Sequence, residues 1–332
     1  MDNSTLRGRR RLLKAGAAGA GLVALPHSVR ANDVYPSKPI TLVCPWTAGG
    51  HTDIFLRGTA ELASKYLPNG QRFVVVNRPG ASGAVGAQHV LRSAADGYTA
   101  MQFVTAVLRT PYVQDPGYHP LRDFTYIIAM ADLSFGMVVR ADAPWKTVND
   151  VIAAAKKEPG KVSYATSGMG TAPHLLAEDF AQRNGLKLNH VTFKGSETAL
   201  AVAGGHVDLL IDTPNWEPLQ RTGKVRLLGV VGSDRLAPWP DVPTFAEQGV
   251  MLDAFSAPYG LIGPANLPDR VLNVLHDAFR KSMDEPEFQA LLDRLHFKRF
   301  YKGPKEFSEW AHTNFEHQGK TLGRLGLATR TP

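Results

Sequence analysis

Two short stretches gather glycine, hydroxyl and histidine residues just ahead of helical patterns. One runs Trp46-Thr47-Ala48-Gly49-Gly50-His51-Thr52-Asp53, the other Ser167-Gly168-Met169-Gly170-Thr171-Ala172-Pro173-His174. Glycine lets backbone amides turn toward a ligand. A helix start adds unpaired N–H groups and roughly half a positive charge from its dipole. Two such ends meeting in one cleft suit a carboxylate. Phosphate is the competing anion, but neither stretch ends in the Gly-Lys-Ser/Thr of a phosphate loop.

Each residue type in these stretches has a plainer use. The hydroxyls of Thr47, Ser167 and Thr171 either bond the ligand or cap helices and turns. Gly49, Gly50, Gly168 and Gly170 give the loops their backbone freedom. His51 and His174 stand at the two helix starts, either donating to an anion or acting as surface or capping histidines. Thr52 lies in the first helical turn, and Asp53 there serves the helix dipole. Asp212, in Asp212-Thr213-Pro214-Asn215 at a strand end, is a candidate polar group of the cleft. Thr105, after the third strand, and Lys194 complete the ligand-binding candidates. Trp46, Trp216 and Tyr259 also follow or begin strands, where an aromatic either stacks on a ligand or fills a domain interface.

Other chemistries find less support. Gly80-Ala81-Ser82-Gly83-Ala84-Val85-Gly86 lacks the tight G-x-G of a dinucleotide fingerprint and reads as a structural turn. None of the 11 histidines forms an i, i+4 pair and the single cysteine excludes a cysteine cluster, so we expect neither metal nor cofactor. The G-x-S-x-G of a nucleophile elbow does not occur. Asp53, Asp179 and Asp212 have no spacing that forces any two together. Cys44, inside an apolar strand, reads as a small buried core residue.

The elements that must position the two stretches follow an alternating rhythm. Ile40–Pro45 is a short β-branched run, Arg72–Val76 a second strand and Tyr98–Val104 a third, with helices after His51 and Ala84. Strand, helix, strand in this order implies a parallel sheet with helices on its faces. A Pro-rich polar stretch covers Thr110–Asp123. The apolar runs Phe124–Met130 and Phe135–Arg140 fit a crossing into a second domain. Strand Lys161–Ala165, the second small-residue stretch and helix His174–Asn184 repeat the opening pattern. Strands His190–Lys194, Asp208–Ile211, Arg226–Val231 and Tyr259–Ile262 follow, and helices Pro268–Met283, Pro286–Leu295 and Pro304–Leu322 close the chain.

At 332 residues two domains are expected, and 44% hydrophobic with 20% charged residues is globular composition. Arg9-Arg10-Arg11-Leu12-Leu13-Lys14, the apolar run Ala15–Leu25 and Val29-Arg30-Ala31 read as an export signal cleaved near Ala31. Arg9-Arg10 with Leu12-Leu13-Lys14 resembles the twin-arginine motif; an ordinary basic leader is the alternative. Six basic residues and one acid fall within 1–31, so the net charge of +7 falls to +2 once the leader is removed. Nucleic-acid binding thereby loses its main support.

Several motifs, taken in order, resemble the extracytoplasmic solute-binding proteins of the tripartite tricarboxylate transporter system, the TctC or Bug family. They are Tyr35-Pro36-Ser37-Lys38-Pro39-Ile40, Pro45 through Asp53, Asn77-Arg78-Pro79-Gly80-Ala81-Ser82-Gly83, Asp96-Gly97-Tyr98-Thr99, Lys194-Gly195-Ser196, Gly204-Gly205-His206-Val207-Asp208 and Pro240-Asp241-Val242-Pro243-Thr244. The resemblance implies an α/β two-domain periplasmic-binding-protein fold of Venus flytrap, type II-like form, with a ligand cleft between the domains. Residues 32–133 and 255–332 would make the first domain and 134–254 the second. It further implies that the loops at Trp46–Asp53 and Ser167–His174 hold the ligand carboxylate through amides, hydroxyls and waters. His51 replaces the family's usual small hydroxyl residue, and Asp212-Thr213 its usual Asp-Asn.

The expected function is a monomeric periplasmic protein that binds a small organic carboxylate and delivers it to the large and small membrane subunits of a tripartite transporter. An extracytoplasmic sensor subunit is the alternative. An enzyme on this scaffold is a third class, lowered by the missing catalytic motifs.

Overall fold

A computed structural model describes residues 35–252 and 256–332, the side chain of Ser196 apart. The leader, its twin-arginine and cleavage readings, and the expected domain crossing at 254–255 lie outside the described residues.

The apolar run at Ile40 forms strand β1 (Ile40–Cys44), which passes through the first glycine-bearing loop into helix α1 (His51–Ser64). Strand β2 (Phe73–Asn77), helix α2 (Ala84–Leu91) and strand β3 (Thr99–Phe103) follow. Both strands pair parallel with β1, one on each side of it. The chain therefore reverses its direction of travel across the sheet at β1. Such a reversal opens a crevice beyond the strand's carboxyl end, which here holds the loop at 45–50. Cys44 is fully buried on β1, and burial pushes its thiol up to about 12.

Helix α3 (Ala106–Val113) then leads to strand β4 (Phe124–Asp132), and Leu133-Ser134 carry the chain directly into strand β5 (Phe135–Arg140) of a second sheet. There the opening pattern recurs. After helix α4 (Val148–Lys157), strand β6 (Ser163–Thr166) gives way to the second glycine-bearing loop and helix α5 (Ala172–Arg183). Next come strand β7 (Asn189–Thr192), helix α6 (Thr198–Ala203), strand β8 (Leu209–Asp212), helix α7 (Glu217–Arg221) and strand β9 (Val225–Val231). Strands β7 and β8 flank β6, both parallel to it, so the second loop also leaves a strand where the winding reverses.

The chain returns as strand β10 (Pro258–Pro264), which inserts between β3 and β4 of the first sheet. Helices α8 (Asp269–Ser282) and α9 (Pro286–Leu295), edge strand β11 (Lys298–Lys302) and helix α10 (Pro304–Arg324) complete it. The first sheet has the order β11-β4-β10-β3-β1-β2, the second β7-β6-β8-β5-β9. Residues Tyr35–Pro332 form one compact unit around these two sheets. One apolar core, drawn from residues between Tyr35 and Ala131 and between Tyr259 and Phe315, packs about the first sheet. Two more, drawn from residues between Phe135 and Ala257, pack about the second. No helix among the described residues is long and apolar enough to cross a membrane.

Two expectations need correction, and one further strand appears. The sheets are mixed: β10, β4, β5 and β9 pair antiparallel, because the chain passes directly from β4 into β5 of the second sheet and returns to the first at β10. The run at Thr110 begins inside α3, whose Leu108 and Arg109 are fully buried; burial overrides the helix-breaking signal of Pro111. Strand β11, in the interval between the two last expected helices, is a charged edge strand paired with β4.

Candidate functional site

A cavity of about 280 Å³ lies where the loops leaving β1 and β6 approach each other. Trp46, Thr47, Gly49, Gly50, His51 and Thr52 reach it from the first loop and α1; Thr105 comes from the end of β3. The second sheet supplies Ser167 and Thr171 from its glycine-bearing loop and Asp212 from the end of β8. Gly195 marks the meeting point, since a Cβ placed on it would stand 3.9 Å from both Ser167 Cβ and Thr47 Oγ1.

Both helix starts that face this space lack a side-chain cap. Gly50 holds the N-cap of α1 with φ −77° and ψ 165°, and Thr171 holds that of α5 with φ −70° and ψ 161°. The Thr171 hydroxyl is turned away from its own helix, donating to the Gly168 carbonyl at 2.8 Å. An uncapped helix start keeps its unpaired amides for solvent or a ligand. Among the described residues that line the cavity none is Lys or Arg, so the positive potential comes from backbone.

The first loop is braced from behind. The Asp53 carboxylate accepts from Gly49 N–H at 3.0 Å, from Asn77 Nδ2 at 2.8 Å and from Arg57 Nε at 3.0 Å. Asn77 Nδ2 also donates to the Trp46 carbonyl at 3.0 Å. Burial pushes the Asp53 carboxyl up, but the Arg57, Gly49 and Asn77 hydrogen bonds outweigh it and hold the group below its ordinary value of 3.8. A depressed folded value means that this contribution to stability is complete above the ordinary value and is lost as pH falls through the folded one. Melting temperature recorded from neutral pH down to about pH 3 should therefore fall more for the wild type than for Asp53→Asn. Parallel curves would remove Asp53 from the acid transition.

Across the cavity, Asp212 Oδ1 accepts from Thr213 N–H at 2.7 Å, and Oδ2 accepts from Thr198 Oγ1 at 3.2 Å and Asn215 Nδ2 at 3.4 Å. Burial outweighs these bonds and raises its carboxyl to about 6. The floor is aromatic: the Tyr259 hydroxyl bonds Thr52 Oγ1, and Tyr259 packs on Phe297, against whose face the His51 ring stands edge-on at 6.0 Å. Burial lowers His51 to about 4, with His296 adding to the effect, so the imidazole is neutral at physiological pH.

Six of the expected site residues do not line the cavity. Ala48 is an exposed turn residue, and Asp53 faces the back of the loop. Gly168 and Lys194 border an adjoining open groove with Ser82, whose Oγ donates to the Met169 carbonyl at 2.8 Å. Gly170 gives its N–H to His174 Nδ1 at 3.2 Å. His174 itself is buried beneath the loop against His190, ring centroids 4.5 Å apart, and burial lowers it to about 4. Its helix-start position placed it near the ligand loop, but the turn of α5 points it into the core. Asp179, the remaining candidate acid, pairs with Arg183 and Arg324 on the far side of α5.

Sequence reasoning did not single out the apolar wall, to which Ile54, Val104, Leu133, Phe135 and Ala257 contribute; Thr213 and Asn215 line the cavity with Asp212, within the stretch read as a candidate polar group of the cleft. The wall's signal was position at strand ends, which does not separate cleft from core. Trp46 and Tyr259 reach the cavity, whereas Trp216 is fully buried, donates Nε1 to the Asp212 carbonyl at 3.3 Å and packs on Trp239.

The family model for the tripartite tricarboxylate transporter family receptor matches residues 55–327. A curated relative from Cupriavidus necator, described as a UPF0065 protein in the gbd 5′ region, is 40% identical over 317 residues, covering 95% of this chain and 96% of its own. Among solved structures, R. palustris Rpa4515 with adipate is 29% identical with a TM-score of 0.83, and the periplasmic binding protein BugD is 27% identical with a TM-score of 0.82. Each covers 89% of this chain and 99% of its own.

Proposed function

The chain belongs to the tripartite tricarboxylate transporter receptor family of periplasmic solute-binding proteins, and from that premise we propose that it captures a small organic carboxylate in the periplasm and hands it to the membrane subunits of a tripartite transporter. The observation that carries this reading is the convergence of two uncapped helix starts, one from each sheet, on one cavity. Each offers unpaired amides and roughly half a positive charge, and the Thr47, Ser167 and Thr171 hydroxyls stand beside them.

Residues 32–133 with 255–332 form one lobe of this reading and 134–254 the other, hinged at Leu133-Ser134. Ligand bound between the lobes favours the closed arrangement by its contacts to both, and the membrane subunits recognise that arrangement. The protein acts as a monomeric receptor without catalysis or cofactor. Adipate in the Rpa4515 structure supports a carboxylate as the ligand class.

A thermal-shift screen of mono-, di- and tricarboxylates tests the reading. A ligand at about 100 times its dissociation constant stabilises by about 2.7 kcal/mol, which raises the melting temperature by roughly 5 °C in a protein of this size. Gly50→Val should remove the shift, since its Cβ meets only the Thr47 carbonyl at 3.8 Å and the added bulk covers the helix start. Silence across aliphatic, aromatic and hydroxylated acids would end the carboxylate reading, and turnover of a bound acid would make the protein an enzyme.

A further inference from the structure

The charges around the cavity limit what the far end of the ligand can be. Two helix starts supply about one positive charge in total, enough for one carboxylate. Asp212 adds a buried carboxyl to the lining, and the lining described contains no Lys or Arg to offset a second anionic group. A doubly charged acid would bring its second carboxylate into an apolar, half-enclosed space beside Asp212 without a counter-ion, where desolvation is not repaid.

His51 completes the pattern. Its Nδ1 is shut away from solvent and has no hydrogen-bond partner, while the residue lines the cavity. With Nδ1 shut in, Nε2 is the ring nitrogen left to meet the cavity that the residue lines. A neutral imidazole has one N–H and one lone pair. Burying an N–H without an acceptor costs more than leaving a lone pair unmet, so the proton belongs on Nε2. His51 therefore presents an uncharged donor to the ligand.

We infer that this protein selects a singly charged carboxylate bearing a neutral oxygen acceptor, a hydroxyl, keto or amide group, which His51 Nε2–H reads, and that it disfavours dicarboxylates. The inference rests on the carboxylate reading and names the class within it. His51 acts as a specificity residue; the anchor is the backbone of the two loops.

Titration calorimetry at pH 8 with hexanoate, ω-hydroxyhexanoate and adipate tests it, two units above the value to which burial raises Asp212. The hydroxy acid should bind about tenfold tighter than either of the others. His51→Phe, which keeps an aromatic ring against Phe297, should narrow the ratio of hydroxy acid to hexanoate to near unity, and His51→Gln, which restores a neutral donor, should recover part of it. Adipate binding as tightly as the hydroxy acid, or a ratio unchanged in His51→Phe, overturns the inference and leaves the carboxylate reading standing. Failure of all three acids to bind overturns it too, and the wider thermal-shift screen then decides whether the carboxylate reading falls with it.

Discussion

Asp53→Ala is expected to weaken carboxylate binding about a hundredfold and to cost roughly 2–4 kcal/mol of stability. The carboxylate is buried and never touches the cavity, yet it gathers Gly49 N–H, Asn77 Nδ2 and Arg57 Nε into one network. Arg57 is half exposed and rehydrates at little cost once released. The loss comes from Gly49 N–H, which loses its acceptor, and from Asn77 Nδ2, which keeps only the Trp46 carbonyl; a hydrogen bond to a charged group contributes about 1.5–3 kcal/mol. Without them the loop at 45–50 no longer holds its amides toward the ligand. A hundredfold is about 2.7 kcal/mol, which the loss of one charge-assisted amide contact, at about 1.5–3 kcal/mol, accounts for. Calorimetry and denaturant melts check both numbers. Asp53→Asn, which keeps an acceptor for Gly49, should lose less; wild-type affinity in the alanine variant would mean the loop orders itself.

Gly260→Ala should destabilise the first sheet by about 3 kcal/mol, lowering the melting temperature by several degrees. Gly260 lies in β10, paired to Ala129 on one side and Phe103 on the other, next to a register shift. A Cβ there would stand 2.2 Å from the Ile128 carbonyl oxygen and 3.0 Å from Ala129 Cα, both backbone, and 2.9 Å from Phe307. Backbone in the middle of a sheet cannot step aside without breaking ladder hydrogen bonds. Gly263→Ala in the same strand meets side chains alone, the flexible Leu267 at 2.6 Å and Ile127 at 3.6 Å, and is the milder control. Equal melting of the two variants would show that the strand relaxes as a unit.

Much of this architecture was legible because it is local. Ile40–Cys44, Phe73–Asn77 and Ser163–Thr166 are short apolar runs bounded by turn residues, and each formed a strand. The glycines and hydroxyls ahead of α1 and α5 marked helix starts, since a helix that begins after Gly-Gly or Gly-Thr has an end open to a ligand. Less legible were α3 and β11. Pro111 sits in a helix that burial of Leu108 and Arg109 holds together, and Lys298–Lys302 is a strand only because β4 offers an edge.

The sequence by itself determined two anion-competent loops, because glycine freedom, hydroxyl donors and helix dipoles depend on neighbours within a few residues. Only the tertiary structure decided which of their side chains line the cavity. His51 and His174 occupy like positions at two helix starts, yet one ring lines the cavity while the other is buried against His190. The paired loops depend on two sheets whose strands are far apart in the chain, and so does the placement of Asp212 opposite His51. Long-range packing chooses the facing direction of each side chain, and no spacing along the chain encodes it. Trp46–Asp53 could thus be read as a carboxylate loop from its own residues; that it is half of a cavity with a neutral histidine and a buried acid required the fold.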